Sequence, residues 1–119
     1  MLHRMQWDIV QGSGQAVRAL LEHLQSEQEL FASATNTLKM VEAHLLVMAQ
    51  TLAHLSPLLR QQLVQLDWHG WQQLQQVLEQ DVQPRREEVW YGIHALVPAT
   101  LELMAQLRRR LPAWFEIGY

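Results

Sequence analysis

The chain contains no cysteine, which excludes disulfides, zinc–thiolate centres and a cysteine nucleophile. Positive charge is also scarce: 9 Lys and Arg stand against 12 Asp and Glu, a formal net charge of −3. A protein that coats nucleic acid non-specifically needs a basic face to neutralise phosphates, so the balance argues against that class and leaves only a local basic patch. No apolar run approaches the roughly 18 residues that a membrane-spanning helix requires. Met1 to Met5 carries no signal-peptide core, and the expected location is cytoplasmic. Strand-like alternation appears nowhere, nor does any internal repeat or separate linker. What remains is a chain 49% hydrophobic and 18% charged, the balance of a folded protein rather than a disordered one. At 119 residues it reads as one domain, 1–119, able to bury roughly two thirds of the surface of its unfolded form.

The most unusual stretch is Asp67 to Val82, Asp-Trp-His-Gly-Trp-Gln-Gln-Leu-Gln-Gln-Val-Leu-Glu-Gln-Asp-Val. Trp68, Trp71, Leu74 and Leu78 recur at spacings of three and four, one face of an α-helix with Asp67 as its N-cap. Between them stand mostly glutamines, where a free helix surface would carry Lys and Glu. Such a helix suits contact with another protein surface, or a site whose reactive residues have been replaced.

Before it, Trp7, Val10, Val17, Leu20, Leu21 and Leu24 keep helical spacing around Gly12-Ser13-Gly14. Each glycine costs about 1 kcal/mol against alanine in a helix. Either the first helix starts after Gly14, or the glycines admit a neighbouring backbone. Ser26 and Glu29 form a capping box for a short helix to about Phe31. Leu38, Val41, Leu45, Met48, Leu52 and Leu55 form a heptad-like stripe, the mark of a long bundle helix. Ser56-Pro57 ends it and caps a short helix carrying Leu59, Leu63 and Leu66. Gln83-Pro84 closes the glutamine-rich region. The last helix is expected from Arg86 or Glu87, with Trp90, Ile93, Val97, Leu101, Met104, Leu107 and Leu111 on one face, and kinked at Pro98. Pro112 ends it before an apolar tail of Trp114, Phe115, Ile117 and Tyr119, which suits core or an oligomer contact. The expected class is all-α, an antiparallel bundle of four to six helices.

The chemistry-bearing residues form no familiar constellation. A di-iron bundle site needs Glu-x-x-His on two helices, and no glutamate here has a histidine three residues on. His44 and His54 sit about 80° apart on one helix and do not converge. No metal or cofactor is therefore expected. No serine lies in a nucleophile elbow, and Gly12-Ser13-Gly14 lacks the rest of a phosphate loop. Arg108, Arg109 and Arg110 read as cations complementing a helix C-terminus. Arg85 and Arg86 lie at a helix start, where cations are unfavourable; either Glu87 and Glu88 neutralise them or they meet a phosphate.

The order of landmarks resembles the HepT-like toxins of the HEPN superfamily. Phe31, Thr37, Val41, Leu55-Ser56-Pro57, Trp68, Trp90 and Pro98 follow that family's sequence of features over roughly Leu20 to Leu111. The resemblance implies a homodimer whose motif helices face across a cleft, and a nucleotidyltransferase-fold antitoxin as partner. It also places the ribonuclease motif Arg-x4-His-x-Tyr on Gln75, Gln80 and Val82, and the family's Gly-Glu pair on Ala49 and Gln50. A glutamine amide neither titrates near pH 7 nor carries charge, and losing the acid/base group alone costs roughly 10²- to 10⁴-fold. Val82 has no hydroxyl to accept the AMP that such an antitoxin transfers to the motif tyrosine.

The expectation is thus a degenerate, non-catalytic member that dimerises and binds. Gln72, Gln73 and Gln76, with Gln75 and Gln80, would line the dimer cleft. Gln75, Gln76, Gln80, Arg85 and Arg86 are the binding candidates, the two arginines for nucleotide or RNA phosphate. Two alternatives stand beside it: a metal-independent ribonuclease toxin using His69 or His94 with Arg85, and an unrelated helical adaptor.

Overall fold

The computed structural model describes residues 2–22, 27–32 and 36–113. Within them all regular secondary structure is helical: α1 (Leu2–Leu21), α2 (Glu27–Ala32), α3 (Asn36–Ala53), α4 (Pro57–Gln62), α5 (Trp68–Gln80), α6 (Arg85–Tyr91) and α7 (Val97–Arg110). A π turn, Gly92–Leu96, joins α6 to α7 without a break, so the described chain folds into six helical rods. Ser26 and the tail residues Trp114, Phe115, Ile117 and Tyr119 lie outside the described residues.

The heptad stripe makes α3 the central helix. Val41, Leu45, Met48, Ala49 and Leu52 are all buried along it. Fully burying a side chain of this size stabilises the fold by about 1.5–3 kcal/mol. α1 lies antiparallel to α3: the Gln6 amide donates to the backbone carbonyl of His54 at 3.1 Å, and Ser13 Oγ hydrogen-bonds His44 Nδ1 at 3.3 Å. α1 runs unbroken through Gly12-Ser13-Gly14, so the helix does not wait until after the glycines. Gly14 has its reason in packing, since a Cβ there would stand 2.8 Å from Leu101 Cδ2 of α7. The close neighbour is a side chain, not a backbone.

The turn between α3 and α5 follows the local signals. Ser56 Oγ accepts from the Leu59 amide at 3.2 Å, and Pro57 opens α4. Leu59, Leu63 and Leu66 are buried. α5 starts where Asp67 Oδ1 accepts from the Gly70 amide at 2.8 Å. It ends at Gln80, before Gln83-Pro84, on Asp81 in the left-handed conformation with φ 53°.

The long C-terminal helix departs from the expected single stripe. Pro98 has no N–H for its turn, and the π turn widens the helix just before it. This wide turn also shifts the buried face by one residue, so that Leu96 and Val97 are both buried. At its start, Gly92 packs so closely on α5 that a Cβ would lie 2.8 Å from Leu74 Cδ2. α7 then returns along α1, with the Arg108 guanidinium 5.6 Å from the Trp7 ring centre.

Candidate functional site

α5 divides into two faces at its capped start. Trp71, Leu74, Val77 and Leu78 point into the core, and the Trp71 indole donates to Thr100 Oγ1 of α7 at 3.0 Å. Trp68 is half-buried; its indole donates to the Leu63 carbonyl at 3.1 Å, and the Arg60 guanidinium lies 4.5 Å from its ring centre. The outward face presents His69, Gln72, Gln73, Gln76 and Gln80, all exposed. No large apolar side chain is exposed anywhere from Trp68 to Gln80; Val82, just beyond, is exposed.

Gln75 stands at the edge where α5 meets α3. Its amide donates to Glu79 Oε2 at 3.3 Å, and Gln50 of α3 donates to the same oxygen at 3.0 Å. The bond from Gln50, then that from Gln75, holds the Glu79 carboxyl below its ordinary pKa. Two of the positions singled out by sequence, Gln50 and Gln75, are therefore brought together around an ionised carboxylate. Glu79 itself carried no sequence signal beyond being one more acidic residue on a helix. Beside this edge, Ala49, Trp68, Trp71, Gln72 and Gln75 line a cavity of about 70 Å³. It has room for about two waters, whereas small-molecule sites span about 300–1,000 Å³.

Arg85 is placed elsewhere. Its Nε and Nη2 donate to the two carboxylate oxygens of Glu42, both at 3.0 Å, and its Nη1 donates to Asp81 Oδ1 at 2.9 Å. The hydrogen-bonded Glu42 carboxylate, together with the charges of Glu42 and Asp81, raises the guanidinium pKa against the opposing effect of burial. Its counter-charges are thus Glu42, 43 positions back in sequence, and Asp81, rather than the neighbouring Glu87 and Glu88. The Arg86 guanidinium lies 4.8 Å from the Phe31 ring centre, and Phe31 meets Trp90 edge-to-face at 6.3 Å. His94 packs on Trp90 with ring centres 4.0 Å apart.

His94 ends the ring stack that Arg86 opens on Phe31 and Trp90 continues, whereas His69 and His54 lie apart from these cations. His69 is in the first turn of α5 and Arg85 is anchored at Asp81, past its other end. Twelve residues of helix separate those ends by about 18 Å. His54, just past the end of α3, bonds the Gln50 carbonyl one turn back through its Nδ1 at 2.8 Å. Among the described residues no three His, Asp or Glu side chains come together as a metal site.

One polar pair was invisible in the sequence. The Tyr91 hydroxyl donates to Asp67 Oδ2 at 2.5 Å, so a single carboxylate caps α5 and ties it to α6. The Tyr91 bond, and then the Gly70 amide, lower the Asp67 pKa. The same carboxylate raises that of Tyr91. Tyr91 thereby clasps the start of α5 to the end of α6. With this geometry described, the chain matches no family model, no curated protein and no solved structure.

Proposed function

We propose that this is a non-catalytic helical-bundle protein of the HepT-like kind, one that works by binding through the outward face of α5. The partners of this reading are a second copy of the chain and a nucleotidyltransferase-fold protein. The observation that carries it is the Glu79 carboxylate held ionised between Gln50 and Gln75. A site that cuts RNA needs a cation on the phosphate and an acid/base group on the leaving oxygen. At this edge the chain offers a negative charge and two amides, with the Arg60 guanidinium laid on the Trp68 ring of the adjoining cavity. Arg85, the cation of the ribonuclease alternative, is already engaged by Glu42 and Asp81, which disfavours a phosphate role for it.

Exposed amides on α5 suit a protein contact, because they exchange hydrogen bonds without the desolvation of a buried charge. An RNA-cleavage assay on the purified chain tests the reading. The expected outcome is no metal-independent cutting. Cutting that His69→Ala or His94→Ala abolishes would overturn it. For the partner, Gln76→Arg is expected to weaken capture of a nucleotidyltransferase-fold protein at least tenfold while leaving the helical circular-dichroism signal intact.

A further inference from the structure

Arg60 lies partly buried without a counter-charge. Arg85 and Arg109 reach carboxylates, and Arg110 reaches the Gln62 amide oxygen. Among the described residues the Arg60 guanidinium makes neither an ion pair nor a hydrogen bond; it lies over the Trp68 ring, 4.5 Å from its centre. It stands in the last turn of α4, where a cation complements a helix end, but α4 has only 6 residues. A guanidinium held over a ring spends none of its five N–H donors on that contact. Drawing the charge partly out of water with those donors unused is costly, and an acceptor of opposite charge would complete it.

The cavity beneath supplies the second observation. Arg60 closes the space of about 70 Å³ between α3 and α5, and the Gln72 and Gln75 amides are the other polar side chains on its wall. No acidic side chain lines it. Room for about two waters is room for the two oxygens of one carboxylate. It is too little for a whole small molecule or for a phosphate with its four oxygens. Whatever carries the carboxylate must therefore lie outside. Gln72 belongs both to the cavity wall and to the exposed face of α5, so the way out leads onto that face.

We infer that this cavity receives a single carboxylate, the side chain of an aspartate or glutamate on the protein that docks on α5. This rests on the binding reading above and adds the partner's chemistry to it. The carboxylate takes two N–H groups of Arg60 side by side, the fork that guanidinium and carboxylate share, and the Gln72 amide offers a further donor. A polyanion fits less well. The Glu79 carboxylate, between Gln50 and Gln75, stands one turn further along the same edge, and the chain's net charge is −3.

The test titrates the full chain with acetate, acetamide and inorganic phosphate at fixed ionic strength. Proton–nitrogen NMR follows the Trp68 indole N–H, assigned by its loss in Trp68→Phe, and the Arg60 Nε–H. Acetate is expected to shift both signals to saturation with a Kd on the order of 10 mM. Acetamide, the same shape without the charge, should not saturate, and phosphate should bind at least tenfold more weakly. Arg60→Gln should abolish saturation, Arg60→Lys should weaken it at least threefold because the fork is lost, and Arg109→Gln should leave it unchanged. Circular dichroism follows the folding of each variant. No saturation with acetate overturns the inference, as does saturation that survives Arg60→Gln, or acetamide or phosphate binding as tightly as acetate. In partner capture, Arg60→Glu is expected to cost at least tenfold. Capture that Gln76→Arg weakens and Arg60→Glu does not would overturn this inference while leaving the binding role of α5 standing. Acetate saturation with no capture at all upholds the carboxylate site and overturns the binding reading.

Discussion

At the scale of single residues, stability rests on a few polar side chains that each join two elements. Asp67 is one: it caps α5 and accepts from Tyr91 of α6. Asp67→Ala is expected to cost about 1 kcal/mol, the usual worth of an N-cap. Its effect should add less than fully to that of Tyr91→Phe, because the two share one bond; urea unfolding of the single and double variants measures this. The pH dependence follows from the same groups. Asp67 and Glu79 have folded pKa values below their unfolded values near 3.8 and 4.5. Their contribution is therefore complete above about pH 5 and is lost as pH falls through the depressed folded values. Tyr91 is raised above 10.0, so its contribution is present below that pH and disappears as pH climbs past the folded value. Thermal midpoints across pH should show a plateau bounded on both sides, with the alkaline edge removed in Tyr91→Phe. Arg85→Ala strands the part-buried Glu42 carboxylate and should cost about 1–2 kcal/mol, less than a fully buried pair because solvent screens it.

At the scale of elements, two glycines in helical surroundings predict opposite outcomes. Gly12→Ala adds a methyl where nothing stands within 4 Å, so it should stabilise the fold by up to about 1 kcal/mol. Gly92→Ala drives a Cβ to 2.8 Å from the fully buried Leu74 side chain. The crowding costs about 1–3 kcal/mol, and the gain in helix propensity offsets only part of it, so the variant should unfold at lower denaturant. The heptad stripe of α3, the Ser56-Pro57 boundary and the Asp67 cap were legible in the sequence because each depends on residues within a turn or two. The π turn was not. Proline announces a missing donor at position 98, but whether a helix kinks or widens is decided by what packs against it. Here Ile93, Leu96 and Val97 all find places in the core, and the wide turn is what lets them do so together.

For the whole molecule, charge is set by the described acids and bases rather than by a basic groove. Labelled single-stranded RNA, followed by fluorescence anisotropy at low salt, should show no binding tighter than the high-micromolar range, since non-specific affinity comes from phosphate neutralisation. No described helix is long and apolar enough to cross a membrane. The exposed side of α5 is dominated by amides, Gln72, Gln73, Gln76 and Gln80, with His69 beside them.

The α3 stripe, the Ser56-Pro57 boundary and the Asp67 cap were determined by the sequence alone, because hydrophobic period and capping act between near neighbours. Only the tertiary structure decided which polar groups meet across helices. Arg85 reaches Glu42, Gln50 reaches Glu79, and Tyr91 reaches Asp67, pairings across helices that no spacing along the chain encodes.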